Sequence, residues 1–113
     1  MLYIGVPDKL LAKWLEDKDY MIASDEGEAI GVAGGYYLAT GKRAIVFMSA
    51  DGFCNATNPL TSWIIPENIE MDLVISYGRR ESQHRIMSDI LEPLLKLLKY
   101  DPKRIFIKLL KKT

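Results

Sequence analysis

The chain is poor in the residues that would tie it to an oxidising, membranous or polyanionic setting. A single cysteine, Cys54, among 113 residues excludes an internal disulfide and fits a reducing cytoplasm, the expected compartment. A lone cysteine is ordinarily a small packed side chain. His84 is the only histidine, and so the only side chain with an ordinary titration near neutrality. Neither sign of charge dominates: Lys and Arg total 15, Asp and Glu total 15. Net charge therefore points to neither nucleic acid nor an acidic membrane surface. The small basic cluster Lys108, Lys111 and Lys112 reads as a solvated chain end. No apolar run reaches the roughly 18 residues of a membrane span. The first residues lack a basic stretch followed by an apolar one, so no signal peptide is expected. There is no repeat, no low-complexity linker and no glycine-rich phosphate loop, which weakens a nucleotide-binding reading.

What remains is an ordinary globular composition, 49% hydrophobic and 27% charged, at a length that fits one domain over 1–113. Apolar segments alternate with helical patterns. Residues 3–6 read as a strand. Pro7-Asp8 then opens a helix, with Asp8 as its N-cap and an apolar face at Leu10, Leu11, Trp14 and Leu15. Residues 20–23 form a short strand. Residues 26–40 form a helix of small residues, which needs close packing because each interior glycine costs about 1 kcal/mol relative to alanine. Gly41 is placed to end it. Residues 44–48 are wholly apolar, as in a strand buried on both faces of a parallel sheet. Residues 52–62 read as a turn and helix. Another strand falls within 72–77. An amphipathic helix covers 86–99, either continuous or restarted at Pro93. Residues 105–110 suit either a strand or a helical tail.

Strands alternating with helices predict an α/β fold, a three-layer α/β/α with a mainly parallel sheet. Ligands of such folds sit beyond the carboxyl ends of the strands. The segments Val6-Pro7-Asp8, Ser24-Asp25-Glu26, Ser49-Ala50-Asp51 and Gly78-Arg79-Arg80 all follow expected strands. They should gather on one edge.

Several stretches then match a known pattern in order. They are Gly5-Val6-Pro7-Asp8; Asp25-Glu26-Gly27; Gly34-Gly35-Tyr36; Leu38-Ala39-Thr40-Gly41-Lys42; Asn55-Ala56-Thr57-Asn58-Pro59-Leu60-Thr61-Ser62; and Gln83-His84. Together they resemble the pyrimidine-binding domain of thiamine diphosphate enzymes, closest to phosphonopyruvate decarboxylase and the alpha subunit of sulfopyruvate decarboxylase. In that family a glutamate hydrogen-bonds N1' of the cofactor's aminopyrimidine and so drives formation of the reactive carbanion.

The resemblance implies Glu26 in that role, with Gly27, Asn55 and Asn58 flanking the cofactor. It places Asp8 near the reacting carbon, and Gln83, His84 and Arg79 toward the substrate. Asp8, Glu26 and His84 would be the catalytic set. The plainer alternatives are that Glu26 and Asp8 cap helices, that Glu28 is a solvated or interface acid, that His84 is structural, that Arg79 and Arg80 are solvated, and that Tyr36-Tyr37 packs.

The departures bear on substrate. Ser49-Ala50-Asp51-Gly52 stands where the family usually has Gln-Asn-Ser-Gly, and the loop before Gln83 is short. An anionic phosphonate or sulfonate would favour Arg79 and Arg80 but not Asp51. The family's magnesium site, Gly-Asp-Gly with a later asparagine, has only the partial match Asp51-Gly52 here. The family's first helix, ahead of Gly-Val-Pro-Asp, is also lacking, so the domain reads as shortened at its N-terminus.

The expectation is a subunit of a thiamine diphosphate-dependent 2-oxo acid decarboxylase. The cofactor would be shared with a partner that supplies the magnesium and diphosphate contacts, in a homo- or hetero-oligomer. The alternative is a non-catalytic regulatory or degenerate relative that keeps the fold and binds a partner.

Overall fold

The computed structural model describes residues 1–78 and 85–111. Five strands form one all-parallel sheet: β1 (Tyr3–Gly5), β2 (Met21–Ile22), β3 (Ile45–Ser49), β4 (Met71–Tyr77) and β5 (Ile105–Lys111). Their order is β2-β1-β3-β4-β5. The helices are α1 (Ala12–Leu15), α2 (Glu26–Thr40), α3 (Phe53–Pro59) and α4 (Arg85–Leu97). This is the expected three-layer α/β/α arrangement. No helix of the described residues is long and apolar enough to cross a membrane.

The order explains the layers. Connections in parallel sheets are right-handed, so moving along the sheet in opposite directions places helices on opposite faces. Only the step from β1 to β2 runs one way, and α1 alone packs with Phe47 and Val74 on one face. The others run the opposite way, so α2, α3 and α4 cover the second face. There Ala29, Ile30, Ala33, Phe53, Ala56, Leu91 and Leu95 meet Val46, Met48, Leu73 and Ile75. Chain direction thus reverses between β1 and β3, which makes the crevice beyond their carboxyl ends the natural ligand site.

Local chemistry sets the element ends. Asp25 caps α2, its Oδ1 accepting from Glu28 N–H at 2.8 Å, while Glu28 Oε1 accepts from Ser24 N–H at 2.8 Å. The two acids together satisfy donors that a helix start leaves open. Gly41, at φ 73°, ends the helix in the left-handed conformation that glycine adopts without penalty.

Three expectations are refined. Asp8 does accept from Leu11 N–H (2.9 Å), but it caps a turn, and α1 proper begins only at Ala12. The helix expected over 52–62 is a 3-10 turn at Ala50–Gly52, then α3, then a π-helical turn at Leu60–Ile64. Pro59 lacks the N–H that would continue an α-helical ladder, and the chain widens behind it, with Ile65 N–H reaching Leu60 O at 2.9 Å. Residues 105–111 are a strand, paired with β4 along their whole length.

Candidate functional site

Glu26 is the first residue of α2 and only 8% exposed. Ionised acids are rarely buried without a partner, because desolvating a charge is costly. The partner here is neutral: Asn55 Nδ2 donates to Glu26 Oε1 at 3.0 Å. Asn55 lies on α3, immediately after β3, so this bond joins the segments that follow β2 and β3. The backbones come equally close, and a Cβ on Gly27 would stand 3.0 Å from Asn55 O. Capping does not explain Glu26, since Asp25 and Glu28 already perform it. Glu28, expected to be solvated or at an interface, is exposed but serves as that second capping acid.

Gly52 completes the setting. A Cβ on Gly52 would lie 1.9 Å from Glu26 Oε2 and 2.1 Å from its Cδ. The glutamate carboxyl therefore fills the volume a side chain at position 52 would need. No reading of the sequence singled out this contact. Gly52 matches the family pattern by its residue, but nothing in a one-dimensional pattern says which atom it faces.

A second acid stands nearby in the topology, after β1. Asp8 Oδ2 accepts from the fully buried hydroxyl of Ser76, at the end of β4, at 3.1 Å, while Oδ1 holds Leu11 N–H. Ser76 is also absent from the sequence reading; a serine in an apolar strand gives no sign of its partner across the sheet.

The expected site residues thus divide. Glu26, Gly27 and Asn55 come together. Asp8 stands at the same carboxyl edge of the sheet, tied to Ser76. Asn58 does not join Glu26 among the described residues; its Oδ1 accepts from Ser62 Oγ at 3.0 Å within its own helical segment. Arg79, Gln83 and His84 lie outside the described residues, as does Arg80. Cys54 is exposed, with Met87 Sδ 3.9 Å from its thiol. Tyr36 and Tyr37 pack against the core, and Tyr37 also donates to Glu70 at 3.3 Å.

Chemically, the edge offers a sheltered carboxyl with one oxygen engaged by a neutral amide. Among the described residues no fully buried side-chain oxygen lacks a partner, and Oε2 takes no hydrogen bond, so Oε2 keeps some exposure. Such a group can hold a proton for a ligand nitrogen. The glycines at 27 and 52 keep bulk away from it.

No family model matches the chain. A phosphonopyruvate decarboxylase of Streptomyces viridochromogenes is 35% identical over 83 residues, covering 69% of this chain and 21% of that protein. The chain is therefore similar, over most of its own length, to about a fifth of a decarboxylase.

Proposed function

We propose that this chain is the aminopyrimidine-binding domain of a thiamine diphosphate-dependent 2-oxo acid decarboxylase of the phosphonopyruvate or sulfopyruvate type. It would work with a partner subunit that holds the diphosphate and magnesium. One observation carries the reading: Glu26 is buried at a helix start whose capping is done by other acids, and its only hydrogen-bond partner among the described residues is neutral. The 35% identity to a phosphonopyruvate decarboxylase supports the same chemistry.

The residues present suit the group. An aminopyrimidine is flat, and its ring nitrogen needs a carboxyl sheltered from water. Glu26 would face N1', with Gly27 leaving room for the ring and Asn55 keeping the carboxyl in place. When bound, thiamine diphosphate supplies a nucleophilic carbon and an electron sink for loss of carbon dioxide. Glu26 then shares a proton with the ring nitrogen, a general acid–base task. Asp8, fixed by Ser76 and by Leu11 N–H, would keep one charge oriented on the substrate side. Arg79, Gln83 and His84 would meet the 2-oxo acid and its anionic tail.

Asp51 favours a second reading. It adds an acid on the 3-10 turn beside Gly52, where an anionic substrate would not welcome it. A regulatory relative that retains the fold and a partner would tolerate that charge.

Calorimetric titration of thiamine diphosphate and magnesium into the chain, alone and mixed with a diphosphate-domain subunit from the same source, separates the two. Binding only in the mixture, followed by decarboxylation of a 2-oxo acid, is the expected result. A stable complex that binds no cofactor would establish the regulatory reading. Glu26→Gln should lower turnover of the active pair by about 10²-fold or more, with the fold intact by circular dichroism. Near-normal turnover would remove Glu26 from the chemistry.

A further inference from the structure

We propose that Gly52 and Asn55 are positioning residues that together form a socket for the Glu26 carboxyl. Asn55 holds Oε1, and the bare α-carbon of Gly52 makes the space in which Oε2 lies. The catalytic consequence rests on the reading of Glu26 as the cofactor's acid; the socket itself does not.

The identity of residue 52 carries the inference. Gly52 has φ −93° and ψ −2°, a conformation open to residues with side chains. Backbone freedom therefore does not require glycine there. Space does: any Cβ would overlap Glu26 Oε2 and Cδ, at 1.9 and 2.1 Å. The obstacle is the end of one side chain, that of Glu26, 26 positions earlier in the sequence. Position 52 is thus glycine because position 26 is a glutamate turned inward.

Asn55 supplies the second wall. Its amide donates to Oε1 at 3.0 Å, and an asparagine amide also carries an acceptor oxygen. Rotated, the same side chain would accept from a protonated Glu26. Asn55 can therefore stay bonded to the carboxyl in both protonation states, which an arginine or lysine could not do. One oxygen is engaged, one is offered, and the plane of the acid is set.

A double-mutant cycle on the chain alone, without cofactor, tests the steric half. Gly52→Ala should lower the melting temperature by about 4–12 °C, the range expected for overpacking a domain of this size. In a Glu26→Ala background the slot is empty, and the same change should cost less than about a third of that. Equal losses in both backgrounds, or no loss in the first, would overturn the socket. Nitrogen-15 NMR tests the polar half. The Asn55 side-chain amide should show one proton shifted downfield and slowed in exchange, and both features should vanish in Glu26→Ala. An Asn55 amide spectrum indifferent to Glu26 would overturn this half.

In the pair with its partner, Asn55→Ala should lower kcat by about 10-fold or more with a smaller change in KM for the 2-oxo acid, and Asn55→Gln should recover part of the loss. Unchanged kcat in Asn55→Ala would overturn the positioning role. If the pair binds no thiamine diphosphate at all, the functional reading fails, whereas the melting cycle and the amide spectrum still decide the socket.

Discussion

The two ends of the sheet hold their acids in opposite ways. At the amino ends of β3 and β4, Arg43 gathers everything around it. Its guanidinium meets Glu70 Oε1 at 3.1 Å and Asp72 Oδ1 at 2.8 Å, and donates to the carbonyls of Lys103, Arg104 and Met71. Tyr37 and Arg104 add further contacts to Glu70. At the carboxyl ends, Glu26 is buried more deeply, yet its one hydrogen-bond partner among the described residues is the neutral amide of Asn55. An acid locked to a cation ties strands together. An acid held by an amide can exchange a proton with whatever enters. The first arrangement suits structure, the second chemistry.

The largest expected effect breaks the structural end. Arg43→Ala leaves two part-buried acids and three carbonyls without their common donor. It should cost about 2–3 kcal/mol in urea unfolding, with discount taken for the partial exposure of the pair, and the loss should shrink at high salt. Glu26→Gln keeps the shape and the Asn55 contact, through a rotated amide, so its midpoint should move by less than about 1 kcal/mol while turnover collapses. If Glu26→Gln destabilised the chain as much as Arg43→Ala, the carboxyl edge would be structural too, and the contrast between the ends would fail.

The two faces of α2 sharpen the same contrast at smaller cost. Gly34 faces the core, where a Cβ would stand 2.5 Å from the Trp63 ring, whereas Gly31 and Gly35 meet nothing within 4 Å. Gly34→Ala should destabilise by about 1–3 kcal/mol. Gly35→Ala should stabilise the isolated chain by about 0.5–1 kcal/mol, because alanine favours the helix and nothing obstructs it. Thermal melts of the two single variants suffice. A loss in Gly35→Ala of the isolated chain would mean that helix propensity does not govern this face.

How much of this was legible in the sequence follows the range of each interaction. The helix stop Gly41 and the apolar run Ile45 to Met48 act over a few residues, so α2 and β3 could be read with their bounds nearly correct, although the capping acid is Asp25 rather than Glu26. The position of Glu26 after a strand was equally local. The Arg43 hub spans up to 61 positions, and Gly52 faces a glutamate across the fold. Nothing local marks Arg43 as different from Lys42, or Gly34 as different from Gly35. Residues 105–111 were ambiguous because their apolar spacing suits either period; pairing with β4 along seven positions decides for strand. Asn58 shares a motif with Asn55, but among the described residues only Asn55 turns to Glu26.

The smallest effect calibrates the scale. Asp17 and Lys18 form an ion pair at 3.0 Å in which the Asp17 side chain is 84% exposed. The hydrogen bond from Lys18, then its charge, then a backbone N–H, hold the Asp17 carboxyl below the ordinary aspartate value. A lowered carboxylate pKa contributes stability above the ordinary value, and that contribution is lost as pH falls through the lowered one. Lys18→Ala should therefore raise the Asp17 titration toward its usual position, as followed by carbon-13 NMR, with no measurable change in midpoint at pH 7, because exposed pairs are screened by solvent. Lys18 also covers the Trp14 ring at 4.5 Å, so a loss of stability in Lys18→Ala that Lys18→Met recovered would trace to packing on Trp14 rather than to charge. A pair as short as those of Arg43 but open to water would then count for almost nothing. Burial and shared partners, rather than the bare presence of opposite charges, are what separate the Arg43 end of the sheet from its surface.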